Sequence, residues 1–171
     1  LIRPNTARGG VEVFIYTRDR DNVFSLAVSA LDQSGLDILD ARIITTTNGY
    51  TLDSFLVEAG DSGIAMDPQR MTTLHERLAA QLKNPSALPE PSSRVLPRRL
   101  RHFSTDTEVE FSDDERNGRT VMELITGDQP GLLAQVGYLF AVHGVRVQNA
   151  KIATTRERAA DVFFITNDAN E

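Results

Sequence analysis

The segment best equipped for chemistry is Gly127-Asp128-Gln129-Pro130-Gly131-Leu132-Leu133. It joins an alternating, strand-like run to a run with helical apolar spacing. Pro130 presets φ near a helix start, and Gly131 lets a ligand approach the backbone. The first N–H groups of a helix lack partners within it, and the helix dipole favours negative charge there. A carboxylate fits that end, and Asp128 beside it can hold an ammonium group. Together they would grip a free α-amino acid; a well-formed helix cap without a ligand is the alternative. The comparable loop, Thr17-Arg18-Asp19-Arg20-Asp21-Asn22-Val23, lacks the Pro-Gly pair, and Asp21 or Asn22 can simply cap its helix. Asp19, Asp21 and Asn22 are therefore weaker ligand candidates, and the two loops are not expected to bind one ligand equally well.

Other chemistries find little support. His75, His102 and His143 are scattered, with no His-x-x-x-His or His-Asp pair, so no metal site is expected. Asp113-Asp114-Glu115 suits a solvated hairpin turn better than a cation site. Ser104 and Ser112 have no nucleophile-elbow context, and there is no phosphate-binding glycine loop. A small acyl-phosphate hydrolase would need an Arg or His converging with a nucleophile, and none is found. The chain has no cysteine, which excludes disulfides and thiolate metal sites. A net charge of -6 disfavours nucleic acid as a partner. The basic run Arg94–His102 suits a solvated linker, and Phe55, Phe163 and Phe164, flanked by Asp53, Glu58 and Asp161, suit a core more than an RNA platform. No apolar run approaches a membrane span. The N-terminus lacks Met and a signal pattern, as expected of a fragment of a longer protein.

The elements that position these residues occur twice, about 109 residues apart. Thr17 falls on Thr126, Asp19 on Asp128, Gly35 on Gly144, Ala41 on Ala150 and Ile43 on Ile152. One deletion then brings Asp53 onto Asp161 and Phe55 onto Phe163. Each copy begins with an alternating strand, then the polar loop, then a helix ended by Gly35 or Gly144. Two β-rich runs follow, joined at Asn48-Gly49 in the first copy, where both residues accept positive φ, and at Arg156–Arg158 in the second. Asp67-Pro68 starts another helix, with Met71, Leu74, Leu78, Ala79 and Leu82 on one face. Residues 84–101, with four prolines, form an extended linker, and 106–112 alternate as a strand.

The expected fold is α+β, with tandem ferredoxin-like βαββαβ units. The lead-in is 1–10. The first unit spans 11–112, with the linker before its last strand, and 113–119 form a turn. The second unit, 120–171, lacks its last helix and strand and leaves an exposed sheet edge. Units this small should pack on each other or on a partner.

With Asp-x-Pro-Gly-Leu-Leu between first strand and first helix, the units resemble ACT domains, small regulatory modules that commonly bind amino acids, often between two copies. The segments at 9–20, 36–57, 99–111, 124–137 and 150–165 resemble the C-terminal ACT tandem of the bifunctional uridylyltransferase/uridylyl-removing family of bacterial nitrogen control. The resemblance implies a cytoplasmic regulatory piece, itself not catalytic, that senses L-glutamine. Glutamine would shift the balance between uridylylation and deuridylylation of the PII protein. Catalytic domains upstream in the parent would need Mg or Mn; this piece would need no cofactor. The glutamine carboxylate would meet the N–H groups near Gly131, Leu132 and Leu133, with Asp128 on the ammonium group. Gln129 and Pro130 would shape the loop, and Asn149 would reach the ligand amide across an interface. ACT–ACT self-association is a further implied partnership. A structural docking module without ligand is the alternative.

Overall fold

A computed structural model describes residues 1–4, 10–59, 67–84, 88–92, 106–154, 158–167 and 169. The basic run 94–102, most of the 84–101 stretch and residues 156–157 of the turn expected at Arg156–Arg158 lie outside the described residues. The chain forms β1 (Ile2–Arg3), β2 (Val11–Arg18), α1 (Val23–Gln33), β3 (Leu36–Thr45), β4 (Tyr50–Ala59) and α2 (Pro68–Lys83). It continues with β5 (Glu108–Asp114), β6 (Arg119–Gly127), α3 (Leu132–Val142), β7 (Val145–Thr154) and β8 (Arg158–Asn167). All eight strands join one antiparallel sheet in the order β1-β2-β4-β3-β7-β8-β6-β5. This is the expected α+β class, and it is compatible with two ferredoxin-like units side by side.

The two copies meet at the sheet centre, where β3 and β7 pair with Arg42 opposite Lys151. These residues are counterparts under the repeat offset, so the pairing places a pseudo-twofold axis between them. One apolar core spans both copies. Val13 and Ile15 of β2, Ile43 of β3 and Phe55 of β4 join Ile152 of β7 and Phe163 of β8 beneath the helices. Phe24 of α1 meets the Phe163 ring edge-on at 6.0 Å, and Phe140 of α3 does so at 5.3 Å. A shared core answers the shortage of buried surface that each unit alone would face. Phe55 and Phe163 are thus core residues, and Phe164 lies beneath the Arg119 guanidinium.

Several local expectations meet their structure directly. Asp67 accepts from the Arg70 N–H at 2.8 Å, with Pro68 in the first turn of α2. Gly35 and Gly144 follow the ends of α1 and α3 with positive φ. At Asn48-Gly49 only Gly49 has positive φ, because the turn is drawn in by Gly49 N–H to Thr46 O and by the Thr46 hydroxyl bonded to Asn48.

One assignment is corrected. The alternating run at 106–112 does not close the first copy. It forms β5, which pairs with β6 in the second half of the sheet. The reason is local: Asp114 accepts from Asn117 and from Arg119 at 2.7 Å, which folds β5 straight back onto β6. The position beside β6, expected to be an exposed edge, is therefore filled by β5. Beside β2 the same position is filled by β1, from the stretch expected to be a plain lead-in. In each half a preceding strand flanks the first strand of the repeat.

Candidate functional site

The two strand-to-helix loops share one backbone form despite different residues. Gly131 precedes α3 with φ +75 and ψ 9, and Asn22 precedes α1 with φ +64 and ψ 9. Asparagine is among the few side-chain-bearing residues that tolerate this left-handed region. Asn22 therefore gives the first loop the backbone turn that Gly131 gives the second, and its side chain makes no cap hydrogen bond.

Because α1 and α3 flank the pseudo-twofold axis, each loop faces the other copy. The first loop faces the start of β7. Arg146 donates to Asp19 at 3.1 Å and lies 3.6 Å from Asp21. A small cleft is lined there by Asp19, Arg20, Asn22, Thr51, Asp53 and Arg146, among others. Burial is the main influence on Asp19 and raises its carboxyl above the usual range, while Arg146 works against the rise.

The second loop meets a different environment. Burial, with the neighbouring Asp37 and Glu58 charges, pushes Asp128 up to about 6. Asp37 is the counterpart of Arg146, so the repeat has reversed the sign of charge facing its two loops. Gly131 sits against Asp32 of α1; a Cβ there would stand 3.0 Å from Asp32 Oδ1. The other Asp32 oxygen accepts from Ser92 N–H at 2.9 Å and from its hydroxyl at 2.5 Å.

Of the residues expected to hold a ligand, Asp128, Gln129, Pro130, Gly131, Leu132 and Leu133 stay together as the loop and first turn of α3. The Leu132 N–H closes a turn onto Gln129 O at 3.1 Å. Leu133 points into the core, 6% exposed, so only its backbone could serve a ligand. Asn149 is not brought to the loop. It pairs with Ile44 and Phe164 inside the sheet, next to the core residue Ala150, and strand alternation turns it to the face away from the helices. Asp19 and Asn22 line the first cleft, and Asp21 joins its ion pair.

The sequence did not single out Arg146, Thr51, Asp53 or Asp161 for binding. A usable signal was present in Thr51, Asp53 and Phe55, which alternate onto one face. An aspartate on the same face as a core phenylalanine must be buried. Burial drives both Asp53 and Asp161 up to about 7. Among the described residues no group of three or more His, Cys, Asp or Glu could hold a metal ion. At the β5–β6 turn, Asp114 is occupied by Arg119 and Asn117, whose hydrogen bonds hold its carboxyl below the usual range. Among the described residues no helix is long and apolar enough to cross a membrane.

No family profile matches the chain, and no solved structure matches it. Curated relatives do. A bifunctional uridylyltransferase/uridylyl-removing enzyme of Stutzerimonas stutzeri is 42% identical over 175 residues, covering 100% of this chain and 19% of the relative. The enzyme of the same name from Methylococcus capsulatus is 44% identical over 167 residues, covering 98% of this chain and 19% of the relative. That of Pseudomonas aeruginosa is 42% identical over the whole chain, again 19% of the relative. This chain thus spans about a fifth of the length of the relatives it matches. Identity at this level from end to end shows that the chain belongs to the family of bifunctional uridylyltransferase/uridylyl-removing enzymes, as the counterpart of that fifth.

Proposed function

We propose that this chain is a tandem of ACT-type regulatory units that senses L-glutamine for a bifunctional uridylyltransferase/uridylyl-removing enzyme. In this reading the upstream catalytic domains of the parent and the PII protein are its functional partners, and the chain itself performs no catalysis. The observation that carries it is the placement of each strand-to-helix loop against the opposite copy. A ligand held there touches both copies. It can therefore favour one arrangement of the pair over another, which is the requirement for moving a balance of activities. The loop Asp128–Leu133 offers backbone N–H groups for a carboxylate and Asp128 for an ammonium group.

Calorimetric titration of L-glutamine into the chain should give saturable heat and a rise in melting temperature. No heat and no shift at millimolar glutamine would leave the pair as a docking module. Gly131→Leu tests the second loop. Its side chain would be forced into a left-handed backbone and against Asp32. Strain of this kind costs about 1–3 kcal/mol, and a loop that relaxes to relieve it moves its N–H groups off the ligand, so glutamine binding at that loop should weaken about tenfold or more. Unchanged affinity and stoichiometry would remove the loop from the site.

A further inference from the structure

All three helices pack on one face of the sheet, where Val13, Ile43 and Ile152 meet Leu31, Leu74 and Leu133 in the shared core. Strand alternation turns Tyr16, Ile44 and Leu52 to the opposite face. Leu52 of β4 stands between the other two, directly opposite Tyr16 of β2 and directly opposite Ile44 of β3. Tyr16 is 66% exposed, Leu52 44% and Ile44 45%. Tyr50 extends the patch, with its ring stacked on that of Tyr16 at 5.1 Å. The fold does not call for this bulk. Under the repeat, Ile44 falls on Ala153 and Leu52 on Ala160, and β7 pairs with β8 there as fully as β3 pairs with β4. A contiguous apolar patch that the sheet forms without, and that stands in water, marks a contact with something outside the fold.

The charge beside the patch is of one sign. Arg18 lies opposite Tyr50, and Arg42, two residues before Ile44, lies opposite Lys151. Like charges directly opposite each other cost a sheet stability, yet Arg42 and Lys151 are both exposed at the sheet centre. The acidic residues of this half of the face, Glu12 and Asp40, lie two rows from the apolar row, level with Leu56. A partner for the patch is therefore apolar at its centre and acidic at its rim.

We propose that the open sheet face around Tyr16, Leu52 and Ile44 is the surface through which this chain docks on the upstream domains of its parent, against an apolar patch with an acidic rim. This goes beyond the ligand reading and takes from it only where the partner lies. The chain spans about a fifth of the length of its relatives, so most of such a parent lies outside it. In that reading the upstream domains join at Leu1. Leu1 lies on this same face and exchanges both backbone hydrogen bonds with Phe14 of β2, at 2.7 and 2.8 Å, two residues from Tyr16. A partner tethered there is held at high effective concentration over the patch. β3, which carries Ile44 and Arg42, is also the strand that pairs with the other copy. A change in how the copies meet therefore shifts the docking face directly.

The test is hydroxyl-radical footprinting, read residue by residue by mass spectrometry, of this chain and of the full-length parent. Tyr16, Ile44 and Leu52 should be oxidised in the chain and should lose most of that reactivity in the parent. Equal reactivity in both overturns the proposal, a comparison that needs no variant to fold. Protection that appears in the chain alone and grows with its concentration also overturns it, because a second copy then covers the face. In the parent, Leu52→Glu should restore Tyr16 oxidation, since the new carboxylate is forced against apolar and acidic groups. Arg42→Glu with Lys151→Glu should restore it as well, and continued protection in that variant overturns the acidic rim. Glutamine heat without protection keeps the sensing reading and removes this surface. Protection without glutamine heat keeps the surface and removes the sensing reading.

Discussion

Gly137→Val is expected to destabilise the chain by about 2–3 kcal/mol, at the upper end of what overpacking costs. Gly137 lies where α3 crosses α1 near the pseudo-twofold axis. A Cβ there would stand 2.8 Å from Val28 Cγ2 and 3.1 Å from Ser25 Cα. The first neighbour is a side-chain tip that can turn, but the second is backbone and cannot yield without moving a helix. Ser25 also donates its hydroxyl to the Gly137 carbonyl at 2.5 Å, so separating the helices strands a buried polar pair. Better helix propensity offsets only a few tenths of a kcal/mol of this. Val28 and Gly137 are counterparts in the repeat, one bulky and one bare, so the close crossing depends on their difference. Adding Val28→Ala to Gly137→Val should therefore recover about 1 kcal/mol or more, as coupling across a direct contact. Urea denaturation of the two single variants and the double closes the cycle. Additive losses would mean that the crossing does not depend on this contact.

The same asymmetry shows how much the sequence disclosed. The repeat offset predicted two like units, and the pairing of Arg42 with Lys151 across the sheet centre follows that offset. The loop at Asp128–Leu133 was legible because proline and glycine punctuate a chain locally. Partners far apart in sequence were not legible. Nothing near Arg146 marks it as facing Asp19, since that contact exists only once β7 pairs with β3. β5 was assigned by its order in the chain, yet strand partners are chosen by turn geometry. The Asp114–Arg119 turn made the pairing to β6 local and short. The place of Asn149 was legible only in part: it lies inside β7 and not at its start, and its face there depends on the bulge between Val147 and Asn149. The site is thus half local signal and half consequence of how the copies dock.

Stability should fall as pH rises from about 4 to about 7, the reverse of ordinary acid denaturation. Asp53 and Asp161 are driven to about 7 by burial, against about 3.9 for an aspartate in an unfolded chain. Between those values the folded state holds two protons that the unfolded state releases. Unfolding then becomes easier with each step in pH. The stability contributed by the protonated pair is complete below about pH 4 and lost once pH passes the folded value near 7. At about 1.4 kcal/mol per unit, each group accounts for up to about 4 kcal/mol, an upper figure because buried charges recruit water and relax. Asp128, raised to about 6, and Asp19 add in the same direction. The double variant Asp53→Asn/Asp161→Asn should flatten this dependence. It should also be more stable than wild type at pH 8 by about 2 kcal/mol, because an amide with an unsatisfied N–H costs less to bury than an unsatisfied ionised carboxylate. Urea midpoints measured from pH 4.5 to 8 decide the matter, and stability that rises over this range in wild type would show that these carboxyls ionise freely in the fold. A stability gain on removing both carboxyls would show that their burial is a net cost to the fold once they ionise.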